Sequence, residues 1–344
     1  MAIEYRKLGS TGVSVSPLCL GAMMFGAWGN TDHDDSIAVI HAALDAGINF
    51  IDTADVYSAG ESEAIVAKAI QGRRDDVVLA TKVHSPMGAD PNMRGNSRRW
   101  IIRECEESLR RLDTDYIDLY QMHRPAPGTD ISETLGALSD LVHQGKVRYL
   151  GSSTFPASAI VEAQWASDRR HLERFVCEQP PYSILVRGIE ADVLPTCERH
   201  HVAVIPWSPL AGGWLSGKWR KGADDLTSHR ANRIPQRYDL ALPANQQKLE
   251  AADALGALAD DAGMSLVHLA LAWVLNNPAV TSAIIGPRTM EQLVTQLGAV
   301  DVELDADLLD AIDAIAPPGI NYNWADAGYV PPMVADAAAR RRTG

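Results

Sequence analysis

Short apolar segments rich in β-branched residues alternate with amphipathic segments along most of the chain. The apolar segments predict strands at 18–22, 48–52, 77–83, 116–122, 147–151, 175–179, 202–207 and 281–285. Between them, apolar residues recur at helical spacing, as in 34–47, which ends at Gly47. Strands that are each followed by a helix favour a parallel sheet with right-handed crossovers, here closed into a (β/α)8 TIM barrel. The alternative, a doubly wound sheet, needs a GxGxxG fingerprint after its first strand, and the chain contains none.

The barrel is predicted to cover about residues 18–300 of a single domain that spans 1–344. Three segments lie outside its alternating pattern. Residues 3–16 predict an N-terminal β-hairpin that turns at Ser10–Gly12 and could plug the barrel floor. Residues 208–245 predict a long loop after the seventh strand, and loops of that length are usually functional. Residues 305–344 form a C-terminal helix and then an irregular tail.

Composition and charge narrow the class of protein and of partner. The 344 residues are 46% apolar and 22% charged, which is typical of a soluble globular protein. The net charge of −13 argues against nucleic acid and anionic membranes as partners. The first residues lack a secretory signal, and no apolar run is long enough to span a membrane, so a cytoplasmic location is expected. The scattered cysteines include no CxxC pair and predict buried free thiols rather than disulfides or a zinc site.

Ionisable residues follow the apolar part of three consecutive strands. Asp52 ends the second strand, Lys82 lies in the third, and His123 follows the fourth. Each continues the alternation of inward residues before it, and neighbouring strands lie about 4.8 Å apart, so the three side chains should meet at the barrel mouth. Tyr57, five residues beyond Asp52, can fold back over that mouth, whereas Asp55 is interpreted as a solvated loop acid. The alternative is a structural ion-pair network, but the combination favours chemistry.

The chemistry open to this group is limited. GxSxG and HExxH are absent, and no cysteine or serine is placed beside the histidine, so neither nucleophilic nor metal-dependent hydrolysis is indicated and no metal is expected. A tyrosine with a pKa of about 10 is protonated at neutral pH, and a nearby lysine would lower that pKa by roughly 1–3 units. Such a site suits the reduction of a carbonyl, with hydride supplied by a cofactor.

Taken together, D52-T-A-D-V-Y57, the ATK around Lys82 and the QMH before Arg124 resemble the motifs of the aldo-keto reductase family. The resemblance covers about residues 3–316, and residues 123–153 look like its bacterial branch. It implies that Tyr57 is the general acid, that Lys82 tunes Tyr57, that Asp52 supports Lys82 and that His123 orients the carbonyl.

The resemblance also implies a nicotinamide cofactor site. The segments that match it contribute Gly21, Ala22, Met23, Ser153, Thr154, Gln179, Trp207, Ser208, Pro209, Leu210, Gly213, Lys218, Gly286, Arg288, Gln292 and Gln296. Ala22 and Thr154 stand where the family usually has threonine and asparagine. Gly286 is expected to open the helix that receives a phosphate. Arg288 can bind a 2′-phosphate bidentately, so NADPH is favoured over NADH. The P-loop reading of 212–218 is rejected because Trp219 replaces the required Ser or Thr.

The substrate and the use of the site remain open to more than one interpretation. Phe25, Trp28, Arg124 and Trp214, with the tail aromatics Tyr322 and Trp324, are candidate substrate walls. The main hypothesis is an NADPH-dependent reductase of a small aldehyde or ketone. The alternative is a non-catalytic subunit that senses the nucleotide. A hydrolase or lyase that uses Asp52 as base is disfavoured by the missing metal ligands.

Overall fold

A computed structural model describes residues 4–223, 226, 231 and 233–342. Two short antiparallel strands, β1 (Arg6–Lys7) and β2 (Ser14–Val15), form the predicted N-terminal hairpin. The main sheet is parallel and has eight strands: β3 (Leu18–Gly21), β4 (Phe50–Asp52), β5 (Val78–Val83), β6 (Ile117–Met122), β7 (Val147–Ser153), β8 (Phe175–Gln179), β9 (Ala203–Val204) and β10 (Ala283–Ile285).

The spatial order of the sheet, β10-β3-β4-β5-β6-β7-β8-β9, follows the chain except that the last strand pairs with the first. The gap between β9 and β10 is closed by a parallel bridge between Val204 and Val280. Thr281 N donates to Val204 O over 2.8 Å, and Ile284 N donates to Pro206 O over 2.9 Å. The sheet therefore returns on itself, and the predicted (β/α)8 architecture is confirmed.

Helices follow the strands and pack on the outside of the sheet. Their bounds are α1 (His33–Asp45), α2 (Glu61–Ala69), α3 (Arg98–Leu112), α4 (Ile131–His143), α5 (Ala157–Arg170), α6 (Val193–His200), α7 (Pro243–Asp261), α8 (Leu266–Asn276), α9 (Met290–Leu297), α10 (Ala306–Ile315) and α11 (Pro332–Ala335). Side chains of Asp32, Ser97 and Ser265 cap the first turns of α1, α3 and α8, which fixes where these helices begin.

Shorter 3₁₀ turns occur at Tyr57–Gly60, Arg74–Asp76, Gly188–Glu190, Ala211–Gly213, Pro235–Arg237, Gly298–Asp301, Trp324–Ala327 and Ala338–Arg340. Four of these turns lie in two of the three segments that were predicted to lie outside the barrel, the long loop after β9 and the C-terminal tail. No single helix within 4–223 and 233–342 has the length and apolar content of a membrane span, although α7 and α8, bent at 96° to each other, pass that test as a pair.

The barrel interior is a separate apolar layer made of alternate strand residues. Cys19, Phe50, Ala80, Leu119 and Cys177 pack there, with Leu8 and Val15 of the hairpin beneath them. The hairpin therefore plugs the barrel floor, as its sequence suggested. The second and larger core lies between the strands and the helices. All four cysteines are buried and free, which confirms the prediction made from their spacing.

Six of the eight barrel strands are shorter than predicted, and for β4 and β9 hydrogen bonding gives the reason. Ile48 was assigned to β4, but its backbone N–H donates to Ala43 O and completes the end of α1. β9 covers only Ala203–Val204 because Pro206, which was assigned to the same strand, has no N–H for the ladder.

Candidate active site

Lys82 lies in the centre of the group that the sequence placed at the barrel mouth. Its side chain is fully buried, and its Nζ donates to Asp52 Oδ2 over 2.5 Å and to Thr53 O over 2.7 Å. A third contact joins Nζ to Tyr57 Oη over 3.4 Å. Burial alone would lower the pKa of Lys82, but Asp52 and Tyr57 outweigh that effect and raise it. The ammonium group is therefore charged at neutral pH.

Asp52 is held by two glutamines as well as by Lys82. Gln121 Nε2 donates to Asp52 Oδ1 over 3.1 Å, and Gln179 Nε2 donates to the same atom over 2.8 Å. Both carboxylate oxygens thus have partners, which explains how the charge is tolerated at 2% exposure. No role for Gln121 was predicted from the sequence, although its alternation with Leu119 and His123 places it on the inner face of the strand. Gln179, a candidate cofactor residue, uses its amide donors within the barrel.

Tyr57 begins a strained turn that places its ring over the mouth. Ser58 and Ala59, which follow it, have positive φ angles of 49° and 56°, and such strain in non-glycine residues is concentrated at functional sites. The ring centroid of Tyr57 lies 5.9 Å from that of Trp28 and 5.8 Å from that of His123. Lys82 Nζ lies 5.0 Å from the centroid of the same ring.

Lys82 lowers the Tyr57 pKa as expected, but the net pKa of Tyr57 is raised rather than lowered. Burial of the phenol raises its pKa, and this effect exceeds the opposing effect of the Lys82 charge. The phenol is therefore protonated at neutral pH. Because Lys82 donates to its oxygen, the Tyr57 O–H remains free to donate to another acceptor.

His123 supplies an uncharged imidazole beside the phenol. Burial, followed by the charges of Arg124 and Lys82, keeps its pKa well below the usual value. Its backbone N–H donates to Val83 O over 3.0 Å, which fixes the residue at the end of β6. Nδ1 is buried, and no hydrogen bond from either ring nitrogen reaches a residue in the described part of the chain. A neutral imidazole can donate one hydrogen bond to a ligand oxygen.

Asp55 is not the solvated loop acid that the sequence suggested. It is fully buried, and its Oδ2 has no partner among the described residues. It lies near Glu63 and Glu104, which share the single guanidinium of Arg111. Burial, reinforced by the two glutamates, raises the pKa of Asp55 well above its usual value. Helices α2 and α3 enclose the position, and local sequence does not reveal that enclosure.

The ends of β7 and β9 carry the backbone strain expected of a ligand-binding edge. Thr154 and Ser208, both candidate cofactor residues, have positive φ angles of 62° and 57°. Ser153 Oγ donates to Gln179 O over 2.9 Å, which ties β7 to β8 at this edge. Because strain of this kind persists only where the surroundings impose it, these two positions support a functional edge.

Two polar atoms at the candidate cofactor positions are buried without a hydrogen-bond partner among the described residues. They are Trp207 Nε1 and Gln296 Oε1. Buried polar groups are normally satisfied, so orphaned atoms in this region fit a site that is completed by a polar ligand. Arg288 is half-buried, and its guanidinium makes no hydrogen bond or ion pair within the described ranges. Lys218 is exposed. These residues fit a nicotinamide nucleotide.

The remaining cofactor candidates lie along the same edge. Gly21 and Ala22 are buried at the end of β3, and Met23 is half-buried; Ser208, Leu210 and Gly213 are half-buried after β9, and Pro209 is buried. Gly21 has a packing role of its own, because a Cβ there would lie 2.7 Å from Ile284 Cγ2. Gln292 already has a partner, since its Oε1 accepts from Arg288 N over 2.9 Å.

The expectation that Gly286 opens a helix is wrong. α9 begins at Met290, with Thr289 as its N-cap, and Gly286 directly follows β10. The side-chain oxygen of Thr289 caps the first turn of α9. Threonine is a common N-cap residue, so this start of the helix was also visible in the sequence.

Two candidate substrate walls are packing residues. Phe25 and Trp214 are both fully buried, so neither presents a face to a ligand. Trp214 stacks on Trp219 at a centroid distance of 3.9 Å and lies parallel to Tyr238 at 6.1 Å. Trp28 and Arg124 remain half-buried beside Tyr57 and His123. An aromatic residue in a loop-rich segment does not reveal from sequence whether it lines a pocket or a core.

The two tail aromatics do not stand out as substrate walls. Tyr322 Oη donates to Ile315 O over 2.7 Å, and Trp324 is 52% exposed. The tail reaches the site through Gly328 instead. A Cβ at Gly328 would lie 2.7 Å from Trp207 Cζ2 and 2.9 Å from Thr154 Cγ2, so only glycine allows this approach.

Clusters of three or more metal-ligating side chains do not occur in the described ranges.

A closed eight-stranded barrel with a buried lysine–aspartate pair, a phenol and a neutral imidazole at its mouth defines a class of oxidoreductase. Residues 17–317 match the sequence profile of the Aldo/keto reductase family, and the chain belongs to that family. Members of this family act on small carbonyl compounds with a nicotinamide nucleotide.

Named relatives extend the match to most of the chain. The chain is 43% identical to "Uncharacterized oxidoreductase YrpG" of Bacillus subtilis, over 92% of this chain and 97% of the relative. It is 36% identical to "Aldo-keto reductase YhdN" of the same species, over 85% and 87%. It is also 36% identical to "Probable voltage-gated potassium channel subunit beta" of Arabidopsis thaliana, over 91% and 96%.

Proposed function

We propose that this protein catalyses the NADPH-dependent reduction of an aldehyde or ketone to the alcohol. The observation that carries the proposal is the buried ammonium group of Lys82, which contacts both Asp52 and the phenol of Tyr57. Carbonyl reduction leaves negative charge on an oxygen, and a protonated donor beside a fixed positive charge is suited to that demand.

Tyr57 is proposed as the residue that gives the proton to the substrate oxygen. As the proton leaves, the phenolic oxygen gains negative charge next to Lys82 Nζ, which stabilises it electrostatically. Asp52 offsets the positive charge of Lys82 and fixes its position. The high pKa of the resting phenol keeps the proton in place until substrate binds.

His123 is proposed to position the carbonyl. Its imidazole is uncharged, so it can donate a hydrogen bond to the substrate oxygen and does not compete with Tyr57 as an acid. Bound NADPH would supply the hydride. Residues at or beyond the carboxyl ends of β3, β7, β8, β9 and β10 are proposed to hold the nucleotide, with Arg288 binding the 2′-phosphate.

An absorbance assay tests the proposal. Purified protein is mixed with NADPH and 4-nitrobenzaldehyde, and the loss of NADPH absorbance is followed over time. We expect substrate-dependent oxidation of NADPH and formation of the alcohol. A complete lack of oxidation across a broad panel of aldehydes and ketones would overturn the assignment.

A second candidate function is supported by the channel-subunit relatives. A chain 36% identical to a "Probable voltage-gated potassium channel subunit beta" could instead bind the nucleotide without turning substrate over. The same assay separates the two functions when it is combined with a binding titration. Tight NADPH binding without turnover of any carbonyl would favour the subunit, whereas turnover favours the reductase.

A further inference from the structure

The guanidinium of Arg124 lies next to the proposed proton donor, and hydrogen bonds fix only one of its edges. It follows His123 directly, and its Nη1 donates to His123 O and, over 3.2 Å, to Thr154 Oγ1. Its backbone carbonyl accepts from Asn96 Nδ2 over 3.0 Å. These contacts fix the plane of the guanidinium at the mouth of the barrel.

The opposite edge of the guanidinium, which carries Nε and Nη2, has no hydrogen-bond partner among the described residues. No hydrogen bond from Nε or Nη2 reaches any residue within the described ranges, and no carboxylate there forms an ion pair with Arg124. The nearby acid Glu178 is committed elsewhere, because it accepts from Ser152 Oγ and from Phe155 N. Nε and Nη2 form the fork that binds a carboxylate bidentately.

A partly buried cation without a counterion is unfavourable unless a ligand supplies one. Arg124 is half-buried, and burial lowers its pKa, but a guanidinium stays protonated in proteins. Arg237, another cation near it, shares the single carboxylate of Asp326 with Lys248, at 3.5 Å and 2.7 Å respectively, so this carboxylate does not balance both cations. An anionic ligand would therefore neutralise the charge of Arg124 at this side of the barrel mouth.

The position of Arg124 favours an anion on the substrate over an anion on the cofactor. Arg124 lies close enough to Tyr57 for the charge of each residue to affect the pKa of the other. In the strand order, β6, which precedes Arg124, lies diametrically opposite β10, which precedes Arg288. The proposed phosphate-binding residues Lys218 and Arg288 follow β9 and β10, so Arg124 lies at a different part of the mouth from them.

We propose that Arg124 determines specificity by binding the carboxylate of the substrate, so that the preferred substrates are aldehydes or ketones that carry a carboxylate. This inference rests on the proposed reductase function and names the substrate class of the same site.

Matched pairs of substrates test the inference. 2-, 3- and 4-carboxybenzaldehyde are each compared with the formylbenzamide of the same substitution pattern, which has nearly the same shape and no charge. We expect at least one acid of the three to be preferred in kcat/KM by about 10-fold to 100-fold, because a hydrogen-bonded charge contributes about 1.5–3 kcal/mol. The preference should appear mainly as a lower KM, since the carboxylate is bound equally in ground state and transition state.

Two variants and one control assign the preference to the guanidinium. In Arg124→Met the ratio of acid to amide should fall to about one, and in Arg124→Lys, which keeps the charge but loses the fork, it should be intermediate. Arg148→Met removes the same charge from an exposed residue at the start of β7 and should keep the ratio of the unmodified protein. Circular dichroism checks that each variant is folded.

Other outcomes would contradict the role of Arg124, the choice of carboxylate as the recognised group, or the reductase function. Equal kcat/KM for acid and amide in the unmodified protein, or an unchanged ratio in Arg124→Met, would overturn the role of Arg124. A stronger preference for 4-formylphenyl phosphate than for any carboxylate would replace carboxylate by phosphate as the recognised group. If neither acids, amides nor 4-nitrobenzaldehyde are reduced, the proposed reductase function itself fails.

Discussion

In the proposed reaction, Tyr57 holds and releases the proton and Lys82 stabilises the charge that the phenol gains. The phenol keeps its proton at neutral pH because burial disfavours the phenolate, and Lys82 provides the charge that a phenolate would need. Neither residue alone would serve, since an isolated buried phenol is a poor acid and an isolated buried lysine loses its charge. Asp52 connects the two functions by keeping Lys82 protonated.

Replacing Tyr57 by phenylalanine should abolish proton donation and leave the cofactor site intact. We expect Tyr57→Phe to lower kcat by about 100-fold or more, because a positioned general acid contributes at least that much. NADPH affinity, measured by fluorescence titration, should stay within about a factor of three. Tyr5→Phe, the same change at an exposed residue that bonds Gly47 O, is the control. An unchanged kcat in Tyr57→Phe would refute the assigned role.

The buried carboxyl group of Asp55 should make the free energy of unfolding depend on pH. Its pKa is raised in the folded chain, so the folded state holds the proton more tightly than the unfolded state does. The contribution of Asp55 to the free energy of unfolding should therefore be fully present below its unfolded pKa of about 3.9 and be lost as pH rises through its raised folded pKa. Asp55→Asn cannot titrate and keeps an oxygen for the hydrogen bond from Val56 N.

Asp55→Asn is accordingly expected to be more stable than the unmodified protein at about pH 8, by about 1–3 kcal/mol, since it removes an unsatisfied buried carboxylate. The difference should shrink towards about pH 4. Thermal unfolding at several pH values measures it. Asp168→Asn, which removes an exposed charge on α5, should show no such trend. A lower Tm for Asp55→Asn at high pH would contradict the burial argument.

At the scale of the element, strand periodicity predicted the centre of the site and failed at its edges. Alternation placed Asp52, Lys82 and His123 on the inner face because every strand of a barrel obeys the same period. Asp55 was misassigned because its burial depends on α3, whose Arg111 lies far along the chain. Trp214 was misassigned because its stack with Trp219 and Tyr238 forms only in the folded loop.

The C-terminal tail is tied to α7 by buried polar contacts. Lys248 is fully buried, and its Nζ donates to Asp326 Oδ2 over 2.7 Å. Asn323 Nδ2 donates to Asn245 Oδ1 over 2.8 Å nearby. Through these contacts Gly328 is held against Trp207 and Thr154, so the order of the tail and the shape of the candidate site are linked.

Breaking that pair should release the tail. Asp326→Ala leaves Lys248 buried without a counterion, which costs about 3–5 kcal/mol, so we expect faster proteolysis between residues 317 and 342. The double variant Lys248→Met with Asp326→Leu should restore resistance, because apolar side chains can replace a buried pair. Asp310→Ala, at an exposed site on α10, is the control. Equal cleavage rates for Asp326→Ala and the unmodified protein would show that other contacts hold the tail.

At the scale of the whole molecule, the proposed cofactor site connects the two ends of the sheet. Its residues lie at or beyond the carboxyl ends of β3, β7, β8, β9 and β10. Among the described residues, β9 meets β10 through the Val204–Val280 bridge and the hydrogen bonds beside it. A ligand that contacts residues beyond all these strands would stabilise the closure of the barrel. Nucleotide binding should therefore raise the free energy of unfolding of the whole protein, because the ligand binds the folded state and not the unfolded state.

The preference for NADPH over NADH should depend on Arg288, and it should be visible in both affinity and stability. Arg288→Ala should weaken NADPH by about 10-fold to 100-fold, because charge-assisted hydrogen bonds to a phosphate contribute about 1.5–3 kcal/mol. NADH, which lacks the 2′-phosphate, should lose far less. Calorimetric titration measures both affinities, and the rise in Tm at fixed nucleotide concentration should follow them. Arg169→Ala, an exposed residue on α5, should leave both nucleotides unaffected. Equal losses for NADPH and NADH in Arg288→Ala would mean that Arg288 does not read the phosphate.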